Sequence, residues 1–120
     1  MPTPQPDRGL YAITDGPRAD LLDVVAQVLA GGARLLQYRD LSADTARRHA
    51  EATALRQLCR AHGVPLIIDH DIALALAVGA DGVHLGRDDD DPRAVRAALG
   101  EHAIVGVSCY GSLPRAQAAA

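Results

Sequence analysis

This sequence predicts an α/β protein with a parallel sheet, on three observations. Short apolar stretches alternate strictly with segments of helical periodicity, about five times along the chain. The stretch Val64-Pro65-Leu66-Ile67-Ile68 is apolar at every position, as a strand buried on both faces must be. Glycines stand where each helical segment has to stop, at Gly31-Gly32, Gly63, Gly79 and Gly100. Such a chain winds by right-handed crossovers. It closes either as an open doubly wound sheet or as a (β/α)₈ barrel. A complete barrel takes eight units and typically about 250 residues, more than the 120 present. No Gly-x-Gly-x-x-Gly follows the first strand, so a dinucleotide-binding fold has no support.

Each element has its own local reason. Residues 1–8 are polar and Pro-rich and read as a flexible tail ahead of one domain, 9–120. Leu10-Tyr11-Ala12-Ile13 is a short strand, and Asp15-Gly16-Pro17 a turn. Leu21, Leu22, Val25, Val28 and Leu29 recur near helical spacing over 20–30. Residues 33–39 form a second strand. Ser42 or Asp44 caps a long helix reaching about residue 62, with Ala46, Ala50, Thr53, Ala54, Leu58 and Cys59 as its apolar face. After the third strand at 64–68 come a short Ala/Leu helix at 72–78 and a strand at 83–85. Asp91 is a good N-cap and Pro92 a good first residue for a helix over 92–99. A fifth strand at 103–107 and a helix over 113–120 complete the pattern. Leu36 and Ile67 are expected to point inward, and His84 is expected to be a satisfied core histidine.

Composition narrows the function. Apolar residues are 48% and charged ones 22%, so the chain should be globular. Three tyrosines with no Phe or Trp imply an aliphatic core and no stacking platform for single-stranded nucleic acid. A formal net charge of −3 argues against a general nucleic-acid or anionic-membrane surface. Cys59 and Cys109 form no C-x-x-C and read as packing thiols of a reducing compartment. His49, His62 and His102 carry no motif. No apolar run is long enough to span a bilayer and no signal-peptide core precedes Gly9, which predicts a cytoplasmic protein.

Polar residues collect where the strands finish. Gln37 and Arg39 end the second strand on one face, Asp69-His70-Asp71 end the third, Arg87 to Asp91 the fourth and Ser108 the fifth. In a parallel sheet these ends converge on one side, where α/β proteins build their sites. Arg39 could grip a phosphate through its planar fork. Asp89 and a carboxylate at 69 or 71 could share a hard cation such as Mg²⁺. The same acids also suit a solvated helix start or an ion-pair network with Arg39.

Several motifs together resemble the thiamine phosphate synthase family: Gly9 to Asp15, Leu36-Gln37-Tyr38-Arg39-Asp40, 64–68, Gly79-Ala80-Asp81-Gly82-Val83-His84-Leu85-Gly86, and Gly106-Val107-Ser108-Cys109-Tyr110. The resemblance implies a (β/α)₈ TIM barrel, of which about five βα units are present. It implies an enzyme, a transferase that joins hydroxymethylpyrimidine pyrophosphate to thiazole phosphate with Mg²⁺ and releases pyrophosphate. Carried over by position, Gln37 would contact the pyrimidine, Arg39 the pyrophosphate, and Asp89 the Mg²⁺. Ser108 would lie at the pyrimidine, and Tyr11 would line the same pocket. Three positions depart from the family pattern. Leu41 stands where a lysine is expected, and Asp69-His70 where Asn-Asp is expected. Asp71, one residue on, is a candidate to take over from the lost metal ligand. The departures imply weak or lost Mg²⁺ binding. Two rivals follow from the same barrel: a non-catalytic phosphate-ligand binding or interaction module, and a thiazole tautomerase-like paralogue, which should carry a histidine where Cys109 stands. Five strands cannot close a barrel, so either self-association or a further C-terminal half is expected.

Overall fold

The computed structural model describes residues 8–86, 89, 91–108, 113–114 and 117. The expected tail up to residue 7, Arg87, Asp88 and Asp90 of the acidic run, Cys109, Tyr110 and most of the expected 113–120 helix lie outside the described residues.

The elements follow as β1 (Tyr11–Ile13), α1 (Leu21–Ala30), β2 (Leu35–Tyr38), α2 (Thr45–Ala61), β3 (Leu66–Asp69), α3 (Ile72–Val78), β4 (Gly82–Leu85), α4 (Pro92–Leu99) and β5 (Ile104–Val107). All five strands pair in parallel in the order β1-β2-β3-β4-β5. This order decides between the two closures. A doubly wound sheet reverses direction at a switch point, whereas here each crossover steps one strand the same way, as in a barrel. The described sheet is unclosed, with β1 and β5 at its edges.

The helix side of the sheet holds the core. Leu36 and Tyr38 of β2, Leu66 and Ile68 of β3, and Val83 and Leu85 of β4 pack against Val25 and Leu29 of α1, Leu55 and Cys59 of α2, and Val95 of α4. Strand residues alternate between faces, so Gln37, Ile67, Asp69 and His84 point the other way. Leu36 is therefore not inward as expected: its parity matches Tyr38 and puts it on the helix side. Ile67 does lie on the inner face, and is 1% exposed. Gly82 lets β4 approach β5, because a Cβ there would overlap the Ile104 carbonyl.

The buried face of α2 is Arg48, Ala52, Leu55 and Cys59, with Ala46 and Ala50 exposed. The expected face was rotated because alanines on both sides of this polar helix give little contrast, and a buried arginine cannot be read as core. Asp44, rather than Ser42, caps α2 by accepting from the Arg47 amide at 3.0 Å. Asp71 and Asp91 cap α3 and α4 in the same way. Asp20 makes no such bond at α1; its carboxylate pairs with Arg18 at 2.6 Å instead.

Candidate active site

The inner face and the C-terminal strand ends form a cleft of about 840 Å³, within the usual range for small-ligand sites. At β1 and β2 the Gln37 amide nitrogen donates to the Tyr11 hydroxyl at 2.9 Å. Burial raises the Tyr11 pKa, so the phenol stays neutral. The Arg39 amide donates to Thr14 Oγ1 at 2.8 Å, which ties the two strand ends together.

The loop after β2 carries Arg39 and Leu41, and it is braced from below. Arg47 donates to Asp40 and to Glu51, each at 2.8 Å, and to Ser42 Oγ at 2.6 Å. Tyr38 donates its hydroxyl to Glu51 at 2.7 Å. The Arg47 guanidinium holds the buried Asp40 carboxyl down at about 2. Burial and the Glu51 carboxylate push the Tyr38 phenol up.

Asp69 ends β3 on the inner face, with its carboxylate 3.8 Å from Arg39 Nε. His70 adopts a left-handed backbone, φ 48°, and its amide donates to the His84 carbonyl at 2.8 Å. A non-glycine residue in that region is uncommon, though histidine is among the more tolerant. The left-handed step turns the chain off the sheet and into α3. His84 Nε2 lies 2.7 Å from Ser108 Oγ across β4 and β5. Gly106 makes room for that ring, since a Cβ there would sit 2.8 Å from Nδ1. The Gly86 amide donates to Asp89 Oδ2 at 2.6 Å, which ties the Asp89 carboxylate to the end of β4.

Tyr11, Gln37, Arg39, Asp69, Asp89 and Ser108 thus all line one cleft. Asp71 does not join them. One of its oxygens accepts from the Leu74 amide at 2.9 Å and the other pairs with buried Arg48 at 3.0 Å. His84 does line the cleft, against its reading as a core histidine. The alternation Gly82-Val83-His84-Leu85 held the signal: Val83 and Leu85 share one face, so His84 had to take the other.

Among the described residues, no three His, Cys, Asp or Glu side chains gather as metal ligands. Among the described residues, the donors at the end of β3 do not fit a resident Mg²⁺. Asp69 faces Arg39, Asp71 is held by Arg48 and the α3 cap, and His70 offers nitrogen where Mg²⁺ takes oxygen.

Parallel βα units stepping one way round, with polar side chains gathered at the strands' C-terminal ends, define a barrel-type α/β protein with a small-ligand site at its mouth. The family model described as thiamine monophosphate synthase matches residues 10–120, and the chain belongs to that family. It is 57% identical over 122 residues to a thiamine-phosphate synthase of Xanthomonas campestris pv. campestris, covering 100% of this chain and 58% of that protein. It is 54% identical over 113 residues to the thiamine-phosphate synthase of Chromobacterium violaceum, covering 92% of this chain and 55% of the relative. Among solved structures, it matches a thiamine phosphate pyrophosphorylase from Pyrococcus furiosus at 35% identity and a TM-score of 0.78. That match covers 90% of this chain and 52% of the other. The chain spans about half the length of the curated relatives it matches.

Proposed function

We propose that this chain supplies the pyrimidine and pyrophosphate side of a cytoplasmic thiamine phosphate synthase. The reaction joins hydroxymethylpyrimidine pyrophosphate to thiazole phosphate. The thiazole nitrogen forms a bond to the exocyclic carbon of the pyrimidine, and the carbon–oxygen bond to pyrophosphate breaks, its electron pair leaving with the pyrophosphate. The observation that carries this reading is the convergence of Tyr11, Gln37, Arg39, Asp89 and Ser108 from β1, β2, β4 and β5 onto one cleft in a chain of this family.

In this reading Gln37, held by Tyr11, and Ser108, held by His84, orient the pyrimidine. Hydrogen-bonded pairs that are partly buried present oriented polar groups and so favour one ligand orientation. Arg39 takes up negative charge as it develops on the leaving pyrophosphate, an electrostatic role that is strongest in a partly dehydrated cleft. The test is thiamine phosphate formation from the two substrates by the full-length protein. Activity that falls at least about a hundredfold in Arg39→Ala supports the reading, on the scale expected for one lost charge-stabilising group. No product from the wild type overturns it.

The second reading, a non-catalytic module that binds phosphate ligands, is favoured by one observation: Leu41 and His70 line the cleft without offering the cation or the oxygen ligand that turnover of a metal-bound pyrophosphate uses. It predicts phosphate-ester binding without turnover.

A further inference from the structure

Among the described residues, the permanently charged groups that line the cleft are short of positive charge. Among the described residues that line it, Arg39 is the one arginine, set against Asp69 and Asp89. The 120-residue sequence holds no lysine to assist it. Arg39 is also not idle, since its Nε lies 3.8 Å from Asp69 Oδ2. The two partners differ in freedom. The Asp69 side chain is 15% exposed and belongs to a strand paired on both sides, whereas the Arg39 side chain is 48% exposed. Asp69 is the more enclosed partner and Arg39 the more exposed one. Leu41, on the same loop as Arg39, is apolar and 62% exposed, and it offers no second donor.

A phosphate group that pairs with Arg39 in this cleft shares it with Asp69 and sits close to that carboxylate. Repulsion from Asp69 grows with each further negative charge on the ligand. We propose that Asp69 is a specificity-determining residue: it competes with the ligand's phosphate for Arg39 and lowers the cleft's preference for highly charged anions. The proposal rests on reading the cleft as a phosphate site. It adds that the selection is by ligand charge, with a monophosphate penalised less than a free pyrophosphate.

Titration calorimetry of the full chain in metal-free buffer tests this, with inorganic pyrophosphate and inorganic phosphate as probes. The proteins are wild type, Asp69→Asn and Asp69→Ser. Asparagine keeps the shape of the side chain, and serine removes the charge by an independent route. Both variants should bind pyrophosphate about tenfold more tightly than wild type, equivalent to about 1.4 kcal/mol. Phosphate should gain only about threefold, and both gains should shrink as salt is raised. Pyrophosphate affinity that is undetectable throughout, unchanged or weaker in both variants, or raised by the same factor as phosphate, overturns the proposal. The synthase assay separates the two readings. Wild-type synthase activity without tighter anion binding by the Asp69 variants sinks this inference alone. Tighter binding in a protein that makes no thiamine phosphate sinks the synthase reading alone.

Discussion

Asp40 shows how one side chain can carry a loop. It is 4% exposed, accepts from Arg47 and from the Ser42 amide, and has its carboxyl held at about 2 against an ordinary value of 3.8. A carboxyl whose folded pKa is depressed stabilises the fold above its unfolded pKa, and that contribution fades as pH falls through the folded pKa. Asp40→Asn should therefore lower stability at pH 7 by about 1–3 kcal/mol, the range for a broken buried polar contact. The gap between variant and wild type should narrow as the pH drops from about 4 towards about 2. Denaturant unfolding across that window checks it, and a gap that stays constant counts against it. His70 and Leu41 make a second case at this scale. Both line the cleft, and neither supplies the oxygen or the cation that a metal-bound pyrophosphate needs. Mg²⁺ binding in the presence of pyrophosphate should be weak in the wild type and stronger in the double variant His70→Asp with Leu41→Lys. Calorimetry on both decides; tight wild-type binding that the variant leaves unchanged removes the argument.

Among the elements, the β4–β5 pair depends on its glycines. Four registered residue pairs join the strands, from Gly82 with Ile104 to Leu85 with Val107. A methyl group at 82 would meet backbone rather than a yielding side chain, and backbone cannot step aside without breaking the ladder. Gly82→Ala should cost about 3 kcal/mol or more, in the upper range for overpacking, and should separate His84 from Ser108. A thermal melt measures the first effect. The His84 imidazole resonances report the second. A variant that melts within a degree or two of wild type contradicts it. The helices illustrate a different kind of legibility. Strong local signals set α3 and α4: Asp71 and Asp91 at the caps, Pro92 in the first turn, and Gly79 in a left-handed C-cap. Their observed ranges match the expected ones for that reason. The helix α2 lacked such contrast along its faces, so the sequence located its ends and missed its orientation.

At the scale of the whole molecule, the described sheet has two edges, and its inner face is exposed on the β1 side. Leu10 is 63% exposed and Ile13 is 56% exposed beside the β1 edge. Unpaired strand edges are templates for further pairing. Uncovered apolar surface forgoes about 25 cal/mol per Å² in a domain stable by only about 5–15 kcal/mol. The 120-residue chain taken alone should self-associate at low micromolar concentration, as read by analytical ultracentrifugation. A compact monomer with a sharp cooperative melt would show that the sheet tolerates its open edges.

Local chemistry along the chain determines much of this protein. The βα alternation, the double-faced apolar strand at 64–68 and the capping residues specify a parallel sheet, because each depends on neighbours in the chain. The same holds for the polar strand ends: parallel pairing brings Gln37, Arg39, Asp69, Asp89 and Ser108 to one side whatever the closure. Three matters depended on tertiary structure. Strand order separated a barrel-like sheet from a doubly wound one. Packing across the sheet decided which alternating face meets the helices, and so put Leu36 among them. Pairing over long sequence distances committed Asp71 to Arg48 and brought Arg39 to Asp69. Charge partners far apart in the chain meet only when helices and strands settle against one another, so a carboxylate that looks like a free ligand in the sequence can already be engaged in the fold.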